Sequence, residues 1–123
     1  MSEKLTGAMA RSLLPARPAD SNKGTFGKVL VVAGSGRYPG AAFLSANGAL
    51  RSGAGLVTLA VARSIFGALA ASVHETTFLP LPEEDWGVLG ASAATEVREN
   101  LAGYVAMVVG PGLGQEDETQ TFI

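Results

Sequence analysis

The chain has 123 residues, 47% of them hydrophobic and 16% charged, with a mean hydropathy of +0.28 and a formal charge of −2. That length admits one modest core, and the apolar excess predicts surface that further sequence or a subunit must cover. The absence of cysteine excludes a disulfide framework, a thiolate metal site and a thiol nucleophile, and the singly placed basic residues do not form a nucleic-acid surface.

Residues 1–63 carry eight Lys or Arg against two acids, and residues 64–123 one Arg against nine acids. A basic first half suits an anionic ligand such as a phosphorylated cofactor. No apolar run reaches the ~18 residues of a membrane span, and the N-terminus has no apolar core with a cleavage site, so a soluble, cytoplasmic protein with no membrane partner is expected.

Residues 1–20 read as a helical lead-in arm, with a short helix over Thr6–Leu14 that Pro15 and Pro18 end. Asp20–Gly27 has turn chemistry; Lys23 within it is a candidate phosphate contact, although an exposed lysine before a strand is usually only solvated. Lys28–Ala33 (KVLVVA) is a continuous aliphatic run, the mark of a strand covered on both faces. Gly34, Gly36 and Gly40 follow it in a spacing that is neither the dinucleotide G-x-G-x-x-G fingerprint nor a P-loop. A helix opening near Pro39 would still offer backbone N–H groups and a positive dipole end to an anion.

Gly40–Ser52 is expected to be that helix, with Phe43, Leu44 and Leu50 inward and Ala41, Ala42, Ala46 and Ala49 allowing close packing. Leu56–Val61 is a second strand, parallel to the first, and Arg63–Ser72 a helix with Ile65, Phe66 and Leu69 on its apolar side. His74 is the sole histidine, and a single imidazole with no sequence partner beyond Glu75 is more often a surface or capping residue than a general base. Thr76–Leu81 is a third strand, with Pro80 and Pro82 restricting it to an edge or its end. Glu83, Glu84 and Asp85 lack the spacing of a calcium loop and read as a solvated turn; no metal site is expected.

Ala91–Leu101 is a further helix, and Tyr104–Val109 a fourth strand running into Gly110-Pro111-Gly112-Leu113-Gly114. The first and fourth strands, the most continuously apolar, are expected to be the most buried. If they are parallel neighbours, both glycine loops face the carboxyl edge of the sheet, where open parallel sheets bind ligands. Glu116–Ile123 begins a helix in which the sequence stops, so a truncated domain is expected. Strands and helices alternate throughout 1–123, which predicts one α/β unit, a three-layer α/β/α sandwich on a mainly parallel sheet.

The segment KGTFGKVLVVAGSGRYPGAAFLSANGALRSGAGLVTLA, with VVGPGLG at Val108–Gly114, resembles the ADP- or ATP-dependent NAD(P)H-hydrate dehydratases, a branch of the ribokinase-like superfamily. The resemblance covers roughly Asp20–Gly114 and implies the N-terminal half of a longer domain. It implies a dinucleotide substrate, hydrated NAD(P)H, that ADP or ATP with Mg2+ phosphorylates at the ring hydroxyl; phosphate then leaves and the double bond returns. It also implies substrate binding at Gly40, Ala41 and Ala42 and at Gly110, Gly112 and Gly114, and a homo-oligomer or a C-terminal half as partner. The family's Gly-Thr-Gly-Asp motif, which carries the catalytic aspartate, does not occur in these residues, so no catalytic residue is assigned and the fragment alone is expected to be inactive. A ribokinase-like kinase of a sugar or vitamin-precursor alcohol is the alternative, and a non-enzymatic binding or assembly module a third reading. The pairing of PGAA with GPGLG resembles the dehydratases more than the sugar kinases.

Overall fold

The computed structural model describes residues 2–123. Four strands, β1 (Lys28–Val32), β2 (Leu56–Ala62), β3 (Thr77–Leu81) and β4 (Ala106–Val109), form one sheet in the order β3-β2-β1-β4, with every pairing parallel. The helices are α1 (Gly7–Leu13), α2 (Pro39–Ser52), α3 (Arg63–Ala70), α4 (Ala91–Glu99) and α5 (Asp117–Phe122). Helices α2 and α3 pack on each other and on β1, β2 and β3, while α4 packs on α5, giving the three-layer arrangement. Parallel pairing throughout puts the carboxyl ends of all four strands on one edge.

Burial follows position in the sheet more closely than apolar content does. Strand β2 is the best covered, with Val57 through Ala62 all buried, and Leu30, Val31 and Val32 of β1 are fully buried beside it. Strand β4 is exposed along its whole length, with Met107, Val108 and Val109 each more than 40% accessible, contrary to the expectation that it would be among the most buried. It is an edge strand, and α4 and α5 leave an open cleft of about 240 Å³ over Met107 and Val109. An apolar run shows that a strand can be covered, whereas its neighbours decide whether it is. At the other edge, β3 meets the expectation set by its prolines: Pro80 lies opposite Val61 and has no N–H to offer the ladder.

Helix α2 opens with Pro39 at its first position and ends at Gly53, which has a φ of 104°. It lies on the sheet through Ala42 and Ala46, four residues apart and both fully buried. Phe43 and Leu44 therefore turn outward, 38% and 70% exposed, instead of inward as expected. Each residue step rotates the side chain by about 100°, so neighbours of a buried alanine leave the buried face. Helix α1, which Thr6 caps by accepting from the Met9 N–H at 3.2 Å, buries no residue.

Candidate functional site

The chain leaves β1 through Ala33-Gly34-Ser35-Gly36 and leaves β4 through Gly110-Pro111-Gly112, side by side at the carboxyl edge. The Gly110 N–H donates to the Val32 carbonyl at 2.8 Å, and the Gly34 N–H donates to the Pro111 carbonyl at 2.9 Å. The two glycine loops are thus bonded to one another. Gly112 has a φ of 73°, and a Cβ built on it would lie 2.5 Å from the Cβ of Ala41 and 3.1 Å from that of Tyr38. Its missing side chain is what seats the second loop on the first turn of α2.

Gly40 is different. Apart from its chain neighbours and the backbone of its own helix, nothing lies within 4 Å of where its Cβ would be, and its place in the first turn of α2 makes no demand for glycine. Tyr38 caps α2 without a side-chain hydrogen bond, and no acidic residue stands in the first turn, so the positive end of the helix is uncompensated. The Ala41 N–H donates to the Tyr38 carbonyl at 3.1 Å, and Ala42 is buried against Gly34. Gly112 and Ala41 therefore touch where the two loops meet, forming a cradle with Ala42 buried beneath it and Gly114 at its far end beside the Glu116 carboxylate, while Gly40 and Gly110 have open space around them.

Further residues surround this cradle. Arg37, Tyr38, Leu113, Gln115 and Glu116 line a cavity of about 330 Å³ with Gly112 and Gly114. A second cavity, about 300 Å³, shares Arg37 and Glu116 with the first and is walled by Ser35, Gly36 and the turn Asp85–Val88. That turn arrives from the carboxyl end of β3 and is tied down by the Gly36 N–H donating to the Gly87 carbonyl at 3.1 Å. The indole of Trp86 lies over Gly36, where a Cβ would overlap the ring, yet Trp86 remains 65% exposed. Ser35 is only 4% exposed and its Oγ has no hydrogen-bond partner. The Glu116 carboxyl is held below its usual range, mainly by a hydrogen bond from its own backbone N–H; Thr119, the Gln115 N–H and the Arg37 charge add to this, and desolvation opposes it.

Glu83 and Glu84 have structural tasks here. Helix α3 begins after Ala62 and α4 after Gly90, neither of which supplies a capping side chain. Glu83 accepts from the Ser64 N–H at 3.1 Å, the Ser64 Oγ at 2.7 Å and the Gly87 N–H at 2.6 Å, and Glu84 accepts from the Ser92 Oγ at 2.8 Å. Among the described residues no three His, Cys, Asp or Glu side chains gather as a metal-ligand set. Lys23 lies beside Gly27, Lys28 and Gly103 at the amino ends of the strands, opposite the cradle, and His74 is exposed on the segment entering β3. Neither joins the site. A larger cavity, about 490 Å³ between Leu14, Arg17, Phe26, Gly53 and Val105, is also at the amino ends.

Residues 29–123 match a family model described as NAD(P)H-hydrate dehydratase. A bifunctional NAD(P)H-hydrate repair enzyme Nnr from Moorella thermoacetica is 44% identical over 115 residues, which are 94% of this chain and 22% of that protein. An ADP-dependent (S)-NAD(P)H-hydrate dehydratase from Bacillus subtilis is 34% identical over 110 residues, 89% of this chain and 37% of that protein. Among solved structures, the ADP/ATP-dependent NAD(P)H-hydrate dehydratase from Bacillus subtilis, co-crystallised with ATP and Mg2+, superposes with a TM-score of 0.72 at 30% identity, over 95% of this chain and 39% of that one. A ribokinase-like superfamily protein from Enterococcus faecalis gives a TM-score of 0.71 at 26% identity, over 94% and 37%. The chain thus spans between about a fifth and two fifths of the length of these relatives.

Proposed function

This chain belongs to the NAD(P)H-hydrate dehydratase family, and from that premise we propose that its carboxyl-edge cradle holds hydrated NAD(P)H during repair to NAD(P)H. ADP or ATP with Mg2+ would supply the phosphoryl group that turns the ring hydroxyl into a leaving group. The part of these residues is to bind and orient the dinucleotide. The observation that carries the reading is Gly40: the fold does not require glycine there, and the space a side chain would fill opens on the uncompensated N-terminus of α2. A diphosphate is the group such a helix end favours. The backbone N–H groups of Gly40, Gly112 and Gly114 would be its main contacts, since those of Ala41 and Gly110 already donate to the Tyr38 and Val32 carbonyls, with Arg37 at the rim.

No magnesium ligand set is assigned to the described residues, and no catalytic aspartate, because no Gly-Thr-Gly-Asp motif occurs in the chain. The whole-protein activity is proposed as that of a hydro-lyase. A cytoplasmic site of action and a homo-oligomer belong to the same proposal, the latter supported by the exposed apolar strand β4.

Titration calorimetry tests the reading with hydrated NADPH, inorganic phosphate and a simple sugar alcohol. The dinucleotide should bind with a stoichiometry near one per chain, and the sugar alcohol should give no heat beyond dilution. Binding of the sugar alcohol without the dinucleotide would transfer the site to the small-molecule kinases of the same fold.

A further inference from the structure

The cavity beneath Trp86 is not accounted for by a diphosphate cradle. Its floor is the Gly34-Ser35-Gly36 backbone, and its wall is the turn Asp85–Val88. Trp86 is the chain's one tryptophan, and at 65% exposure it offers a flat aromatic face on which a planar ligand can stack. Its inner side rests on Gly36, and the turn that carries it is fixed by the Gly87 carbonyl on the Gly36 N–H and by Glu83 on the Gly87 N–H. The platform is therefore held before any ligand arrives. In the same cavity Ser35 is more than nine-tenths buried and its Oγ bonds no other group of the protein, which leaves a hydroxyl donor and acceptor for a ligand there. A hydroxyl can both donate and accept, so it suits the ring nitrogens or exocyclic amine of a base.

The geometry points to a nucleobase subsite in which a planar base stacks on the exposed face of Trp86 and hydrogen-bonds to the Ser35 Oγ. The inference rests on the dinucleotide reading for its ligand class. The adjoining 330 Å³ cavity, joined through Arg37 and Glu116, leads from this subsite to Gly112 and the cradle, as a base attached to a diphosphate requires. The base in question is the adenine end, since hydration removes planarity from the nicotinamide ring and leaves adenine as the aromatic surface able to stack.

Because Trp86 is the single tryptophan, its fluorescence reports the subsite directly. The wild-type chain is titrated by fluorescence with AMP, with nicotinamide mononucleotide and with NADPH, and affinities for the same ligands are measured by titration calorimetry in the wild type, in Ser35→Ala and in Trp86→Ala and Trp86→Phe, which lack the fluorophore. AMP and NADPH should quench Trp86, and nicotinamide mononucleotide should not. Trp86→Ala should weaken both quenching ligands about tenfold or more, the scale of one base on one aromatic side chain, while Trp86→Phe retains most of the affinity. Ser35→Ala should weaken both ligands severalfold. Unchanged NADPH affinity in Trp86→Ala, or quenching by the mononucleotide alone, would overturn the subsite and leave the dinucleotide reading standing. Quenching by AMP with no binding of NADPH or its hydrate would do the reverse.

Discussion

Gly40 and Gly112 show how one residue type carries two different requirements within a single site. Gly112 is demanded by the fold, through its positive φ and the contact with Ala41, so Gly112→Val should lower stability by more than about 1 kcal/mol in a denaturant melt, whatever it does to binding. Gly40 sits in a helix with open space around it, so Gly40→Ala should leave stability unchanged or raise it by up to about 1 kcal/mol. The same substitution should weaken dinucleotide binding; equal affinity in a folded Gly40→Ala protein would remove α2 from the site. Glu116 adds a pH dependence. Its carboxyl titrates below the usual range in the folded chain, chiefly through its own backbone N–H, so it stabilises the fold above the ordinary carboxylate range, and that contribution is lost as pH falls through the folded value. Denaturant midpoints at neutral and acidic pH should therefore converge partway in Glu116→Gln, and an unchanged acid dependence would count against the assignment.

Among the elements, the strands are the most legible in the sequence. Runs such as KVLVVA and LVTLAV are closed by glycine or by a helix start, and each became a parallel strand within a residue or two of its expected limits. Facing was less legible: Phe43 and Leu44 have the right hydrophobicity but the wrong phase, because Ala42 and Ala46 are the residues that α2 buries. The glycine loops could be read because glycine is local chemistry. The part of the site made by Ser35 and Trp86 could not, since nothing in spacing connects the turn after β3 to the loop after β1. Glu83 illustrates the same limit, as a residue that reads as solvated and serves as the missing cap of α3. Glu83→Ala should cost roughly 0.5–2 kcal/mol, the range for losing a helix cap, and thermal melts showing no loss would return it to the solvated reading.

For the whole molecule, the sheet is finished on one side and open on the other. Pro80 blunts the β3 edge, while β4 presents Met107, Val108 and Val109 with both an unpaired edge and uncovered faces. Apolar surface of this kind drives association, so the chain should sediment as more than a monomer at micromolar concentration, and Val108→Lys should shift it towards the monomer. A compact wild-type monomer would contradict this. The charge asymmetry has a plainer consequence than composition alone indicates: of the eight basic residues in the first half, Arg37 is the one that lines the cavities of the carboxyl edge, beside the acidic Glu116.

The site competes with a larger cavity at the opposite end of the strands, and one measurement separates them. Backbone amide chemical shifts of the chain should be followed while hydrated NADPH is added. The perturbed amides should cluster at Gly34–Ala42 and Gly110–Glu116, with Gly24–Gly27 and Gly53 unmoved. Perturbations gathered instead around Arg17, Phe26 and Gly53, or none at either glycine loop at saturating ligand, would contradict the carboxyl-edge site.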